Sequence, residues 1–199
     1  MTYQSFRQPQ RNSHQTTVTE KSSDLPVTLE EAKAHLRLLS SDLDVHVEGL
    51  LEAAVEYCES VIGRSLRTST TLTQTYDGWP CNPVRFDRQP VLAIGSVKYR
   101  DPDDTEHTVT SNNYRLLPSS EASAVLEFDE GFVPETLAGR ADAVTVTYVA
   151  GYEDPPARAK AAILLKLSEL FGNLDERKVT ANERSINTLL GSLDWGCYR

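Results

Sequence analysis

The sequence predicts an α+β protein, a small helical bundle carrying an inserted antiparallel β subdomain. Apolar residues recur at helical spacing over about 28–39, 42–62 and 156–171. Between about 67 and 150 the spacing changes to alternation, broken by turn residues. The two ends, 1–25 and 173–199, are polar enough to read as appendages: an extended N-terminal arm, and a linker with a C-terminal docking segment. The expected domains are therefore 1–25, 26–66 with 155–172, 67–154, and 173–199.

The arm holds only Met1, Tyr3, Phe6, Val18 and Leu25 as sizeable apolar groups, so it is expected to lie extended on another subunit rather than fold alone. The first helix starts at Thr28, with Glu31 three residues on, the capping-box spacing. Leu29, Ala32, Leu36 and Leu39 then form its apolar stripe. After Ser40-Ser41-Asp42, a second stripe runs through Leu43, Val47, Leu50, Leu51, Ala54, Cys58, Val61 and Ile62. Gly63 stops it, because glycine enters the left-handed conformation without a side-chain clash.

From Arg67 the residues Thr68, Thr70, Leu72, Gln74 and Tyr76 share one strand face, and Asp77-Gly78-Trp79-Pro80 turns the chain. Further strands are expected at 84–86, 96–99, 106–110, 114–117, 124–128 and 144–149, with Asp101-Pro102-Asp103-Asp104 as a hairpin turn. Pro155-Pro156 opens a third helix. Its stripe is Ala157, Ala161, Leu164, Leu165, Ser168 and Phe171, widened by Ile163, Leu167 and Leu170 until only Lys166 and Glu169 interrupt it. A helix so apolar is buried on more than one side, against the first pair and against a neighbouring subunit. Ser185 is expected to cap a last short helix carrying Ile186, Leu189, Leu190 and Leu193.

The chain has 199 residues and a net charge of −9, and 39% of it is hydrophobic. That length supports a core without metal or disulfide staples, and three separated cysteines argue against a disulfide framework. No apolar run is long enough to span a bilayer and the N-terminus is not signal-like, so a soluble, non-secreted protein is expected. The charge is −5 over 26–66, −7 over 67–154 and +2 over 155–199. An acidic body lacks the basic patch that a nucleic-acid reader needs.

Chemistry is sparse. No phosphate-binding glycine loop, nucleophile elbow or H-E-x-x-H helix occurs. The four histidines (His14, His35, His46, His107) never pair at helical spacing, so no metal or cofactor is expected. Asp101, Asp103, Asp104 and Glu106 lack the glycine and distal glutamate of a calcium loop and read as a polar hairpin tip. Tyr76 and Trp79 read as plugs for the end of the sheet. Glu48, Glu52, Glu56 and Glu59 run along one flank of the second helix, a solvated face by default. In a ring, that flank meets basic residues of a neighbour.

Three stretches carry a resemblance. They are Leu25-Pro26-Val27-Thr28-Leu29-Glu30-Glu31-Ala32-Lys33 leading to Tyr57-Cys58-Glu59-Ser60-Val61-Ile62-Gly63-Arg64-Ser65-Leu66; Arg88-Gln89-Pro90-Val91-Leu92 with Ser96-Val97-Lys98-Tyr99-Arg100-Asp101; and Val144-Thr145-Val146-Thr147-Tyr148-Val149-Ala150-Gly151-Tyr152 before Lys160-Ala161-Ala162-Ile163-Leu164-Leu165. In this order and spacing the chain resembles the head-tail connector (adaptor) family of long-tailed bacteriophages and related gene transfer agents, in its β-insertion variant.

The resemblance implies a non-enzymatic virion protein, folded in the host bacterial cytoplasm. It implies a ring of about twelve copies under the portal protein, closed by head-to-tail contacts. The ring extends the DNA channel, DNA passes through its lumen without specific binding, and a stopper or tail-completion protein attaches below. By the same analogy Ile186, Leu189, Leu190, Leu193, Trp195, Tyr198 and Arg199 dock on the portal. Glu48, Glu52, Glu56, Glu59, Leu167 and Leu170 are the expected subunit-interface residues. Truncation after Arg184 is expected to leave a folded protein that cannot join heads to tails. The alternatives are another neck protein (a stopper or tail-completion factor) and a carbohydrate-binding or hydrolytic module built around Trp79.

Overall fold

The computed structural model describes residues 14–120, 123–132, 135, 137–172 and 176–191. In chain order they form β1 (His14–Lys21), α1 (Leu29–Leu36), α2 (Asp44–Ile62), β2 (Thr70–Tyr76), β3 (Val84–Arg85), β4 (Val91–Arg100), β5 (Glu106–Thr108), β6 (Tyr114–Ser120), β7 (Ser123–Phe128), β8 (Val144–Ala150), α3 (Ala157–Phe171) and α4 (Glu176–Gly191). The α+β class holds, with every expected helix and strand present.

The capping box at α1 is complete. Thr28 Oγ1 accepts from the Glu31 amide at 3.2 Å, and Glu31 Oε2 accepts from the Thr28 amide at 2.9 Å. The helix stops at Leu36, short of the expected 39, because Arg37 takes the left-handed conformation (φ 59°) and its amide bonds back to Ala34 and Lys33. That early stop rotates Leu39 and Leu43 out of the stripe and leaves both exposed. In α2 the stripe holds at Val47, Leu51, Ala54 and Cys58, which are buried, but Val61 is exposed and Val55 is buried in its place. Gly63 closes the helix at φ 65°.

The third helix turns a different face inward than its sequence suggests. Ala159, Ala162, Ile163, Lys166 and Leu167 are buried, while Leu164, Leu165 and Phe171 are half-buried. Cover was expected from the first helix pair and a neighbouring subunit, and α4 of the same chain packs on α3 as well as α2. The second cover is longer than the short helix expected from Ser185. Val179 lies two turns before Ile186 on the same face, and it and Asn182 are both half-buried, so α4 is already a helix well before Ser185. Ile186 and Leu190 are fully buried and complete one apolar core with Val47, Leu51, Ala54, Val55, Cys58, Ile163 and Leu167.

The strands of the expected antiparallel β subdomain, joined by β1, make two sheets. One is five-stranded in the order β1-β2-β8-β4-β5, and the other three-stranded in the order β3-β7-β6. A second apolar core lies between them, built from Leu72, Val97, Val146 and Tyr148 of the larger sheet and Val84, Leu126 and Phe128 of the smaller. Three side-chain amides pin the small sheet. Gln74 donates to the Arg85 carbonyl at 3.3 Å. Asn82 exchanges two bonds with the Phe128 backbone, and Gln89 two with the Ala124 backbone. Asn82 and Gln89 each precede a cis proline.

Part of the presumed arm is a strand of its own chain. β1 pairs antiparallel with β2, from His14 opposite Tyr76 to Lys21 opposite Thr70. Its Thr-Thr-Val-Thr run is strongly β-forming, which favours pairing along the otherwise unsatisfied edge of β2. Residues 1–13 lie outside the described residues.

Candidate assembly surfaces

The joint between bundle and sheets is built from α2's acidic flank. Glu59 Oε1 accepts from the amides of Leu66 (2.7 Å) and Arg67 (3.3 Å), and the Glu59 carbonyl accepts from Arg88 Nη1 at 3.2 Å. The almost fully buried Arg67 donates to the Ser22 carbonyl at 3.1 Å and to Glu52 Oε1 at 3.2 Å. Where β8 ends, Gly151 (φ 151°) donates to the Pro90 carbonyl at 3.0 Å. A Cβ at this position would lie 2.3 Å from the Arg67 carbonyl oxygen, so the two chains can cross here only at glycine.

Glu56 pairs with Lys21 at 2.6 Å, and this contact holds its carboxyl below the usual carboxylate range. Glu52, Glu56 and Glu59 therefore have partners within their own subunit, and Glu48 lies exposed on a groove of about 800 Å³ between residues 21–29 and α2. Of the two leucines expected at a subunit interface, Leu167 is core and Leu170 is 40% exposed.

Lys166 was read as an interruption of an apolar face, yet it is buried. Its Nζ bonds Glu169 Oε1 at 2.6 Å and sits 4.0 Å from the centre of the Tyr57 ring. An ion pair at i, i+3 with an aromatic lid removes the cost of burying one bare charge. At the start of α2, Leu39 and Leu43 of the α1–α2 turn and Val45 of the first helical turn are exposed (102, 43 and 85%). The C-terminal part of α3 is tied there by His35 to Ser168 (2.9 Å) and by the His46–Phe171 ring contact.

The expected docking residues divide. Ile186 and Leu190 face α2 and α3 in the core and Leu189 is half-buried against it, while Leu193, Trp195, Tyr198 and Arg199 lie outside the described residues. The burial of Ile186 and Leu190 also corrects the truncation expectation. A cut after Arg184 removes core side chains.

Trp79 packs on Tyr99, Phe128 and Phe132, and its indole N–H donates to the Glu135 carbonyl at 2.9 Å, so the ring closes the end of the sheets as expected. At the hairpin tip the Asp101 carboxylate accepts from the amides of Asp103 and Thr105 and from His107 Nε2, bonds that hold it below the usual carboxylate range. Among the described residues no group of three or more His, Cys, Asp or Glu converges to hold a metal. No described helix is long and apolar enough to cross a membrane.

No protein-family model matches the chain, and no curated protein matches it. Solved structures share its fold. A chain described as "Virion of native gene transfer agent (GTA) particle" superposes with a TM-score of 0.65 at 18% identity, over 85% of this chain and 93% of that one. A chain from "Neck of empty GTA particle computed with C6 symmetry" gives 0.65 at 17%, covering 86% and 94%. A third, from "Neck of native GTA particle computed with C12 symmetry", gives 0.64 at 17% with the same coverage. The likeness spans both the helical bundle and the paired sheets.

Sequence reasoning missed the Lys166–Glu169–Tyr57 cluster and β1. The β-branched run Thr16-Thr17-Val18-Thr19 was the available signal for β1, masked by the polarity of its surroundings. No local signal marks Lys166 as buried, because Tyr57 belongs to a distant helix.

Proposed function

We propose that this chain is a structural subunit of the neck of a phage-like particle: a non-catalytic head-tail connector in the virion. A ring of about twelve copies stands under the portal protein, extends the DNA channel and offers its lower face to a stopper or tail-completion protein. The observation that carries this reading is a fold shared almost end to end with neck chains of a gene transfer agent particle, two of them described with C6 and C12 symmetry. Closed rings need two different patches per subunit, and the open candidates are Glu48 with its groove and the exposed Leu170 end of the bundle. Portal docking falls to Leu189 and the residues after α4, namely Leu193, Trp195, Tyr198 and Arg199, with α4 fixing where they emerge.

Native mass measurement of the protein, alone and with the portal, tests the reading. A closed oligomer that binds portal is the expected result. A chain that stays monomeric and ignores portal would end it. A ring that keeps portal binding without residues 192–199 would move the docking contact elsewhere on the subunit, and a ring that ignores portal would favour a stopper or tail-completion factor.

A further inference from the structure

The outward face of the five-stranded sheet is a field of small hydroxyls. Alternation points Leu72, Gln74 and Tyr76 of β2, and Val144, Val146 and Tyr148 of β8, into the core. It points Thr71, Thr73 and Thr75 outward beside Thr145 and Thr147, and Ser96 of β4 sits opposite Thr147. All six are part-exposed. Neither β2 nor β8 contains a charged residue, in a chain of which 25% is charged. Charges flank this centre, with Glu20 of β1 opposite Thr71 on one side and, on the other, Lys98 of β4, which lies opposite Thr145 and pairs with Glu106.

A solvated sheet face ordinarily carries lysine and glutamate for solubility. An uncharged centre with a charged rim is instead the layout of a protein contact. We infer that this threonine face is a contact between neighbouring copies of this chain in the ring, an inference that rests on the connector reading.

The choice of occupant follows from charge. Each copy carries −9, so identical chains repel unless they meet where acidic groups are absent. The face has no basic residue at its centre to hold nucleic acid phosphates. Its hydroxyls do not suit a lipid core. Strand spacing and rise give it about 500 Å², less than the roughly 800 Å² per partner of a standard contact. A single pair of copies is therefore weak, and ring closure, which gives every copy two contacts, holds the assembly. Because the ring is head-to-tail, the face meets a different surface of the next copy.

The test places charge on the face without disturbing the strands. Thr75→Lys with Thr147→Lys, which are not direct cross-strand partners, and Thr188→Lys on the exposed side of α4 as control, are compared with wild type by native mass spectrometry over a concentration series. Circular dichroism and thermal midpoint check that each variant folds. The double variant is expected to need at least tenfold more protein than wild type or the control to reach the ring. In a second arm, Thr147→Cys in a Cys81→Ser, Cys197→Ser background is expected to react with maleimide at least tenfold more slowly in the ring than in the monomer. Equal assembly and equal labelling overturn the face while leaving the ring reading intact. Slowed labelling that appears only on adding DNA overturns it in favour of a channel lining. A wild-type chain that never closes a ring, alone or with portal, takes down the connector reading itself.

Discussion

Lys166 shows how much a single buried charge can organise. Its side chain is 10% exposed and that of Glu169 11%, so each neutralises the other where water does not reach. Lys166→Ala is expected to cost about 3 kcal/mol in urea denaturation, since it strands a carboxylate in the core. Replacing both residues by leucine should recover most of that loss, and a double variant no better than the single one would refute the pairing. Cys58 gives a second test at this scale. Burial pushes its thiol up to about 12, while Cys81 is exposed. At pH 8 the native protein should lose the Cys81 thiol to alkylation at an ordinary rate and keep Cys58 until it unfolds, as peptide mapping can show. Periodicity could not have flagged Lys166, because one helix turn holds the ion pair but a distant helix supplies the ring. The Thr28 capping box was legible, because both its partners lie within four residues.

At the scale of elements, the strand pattern of 70–150 was readable because buried and part-exposed residues alternate strictly in β2 and β8. What local pattern leaves open is partner choice. β1 looked like a free arm because its own residues bury almost nothing, and it is ordered by the backbone of β2 and a few polar ties. His14 and Thr16 bond Asp87 at 2.9 and 2.6 Å, and Lys21 bonds Glu56 at 2.6 Å. The last tie titrates. The Glu56 carboxyl lies below its ordinary 4.5 in the folded state, so its contribution is fully present above that value and is lost as pH falls through the folded pKa. The pair is about half exposed, and its worth is under about 1 kcal/mol. Once the intrinsic slowing of amide exchange towards pH 3 is divided out, protection in 14–21 should therefore fall a few-fold more than protection in β8 as pH drops from 6 to 3. Glu56→Gln should remove that extra dependence. If the variant keeps the full pH response, the Lys21 tie does not hold the strand.

For the whole molecule, the boundary between body and appendage decides which experiments can report on assembly. Sequence pattern put that boundary at 172/173 and began the last helix only at Ser185, since Val179 is the single large apolar group among the polar residues of 177–184 and is too little to mark a stripe. In the structure the body runs to Gly191, with Ile186 and Leu190 at 0% exposure in the same core as α2 and α3. Deleting a fully buried leucine or isoleucine costs about 2 to 5 kcal/mol, and a domain is stable by only about 5 to 15. Truncation after Arg184 is therefore expected to unfold the bundle or lower its melting temperature by more than about 10 °C. Truncation after Gly191 should leave the melting temperature within a few degrees of wild type, because it removes no described core residue. Only the second truncation can separate folding from docking. If it melts like the intact chain and still forms rings, yet fails to hold portal or complete particles, docking belongs to residues 192–199. If it melts like the intact chain and completes particles normally, the portal contact lies elsewhere on the subunit, and the exposed Leu39 and Leu43 of the α1–α2 turn, with Val45 at the start of α2, become the surface to mutate next.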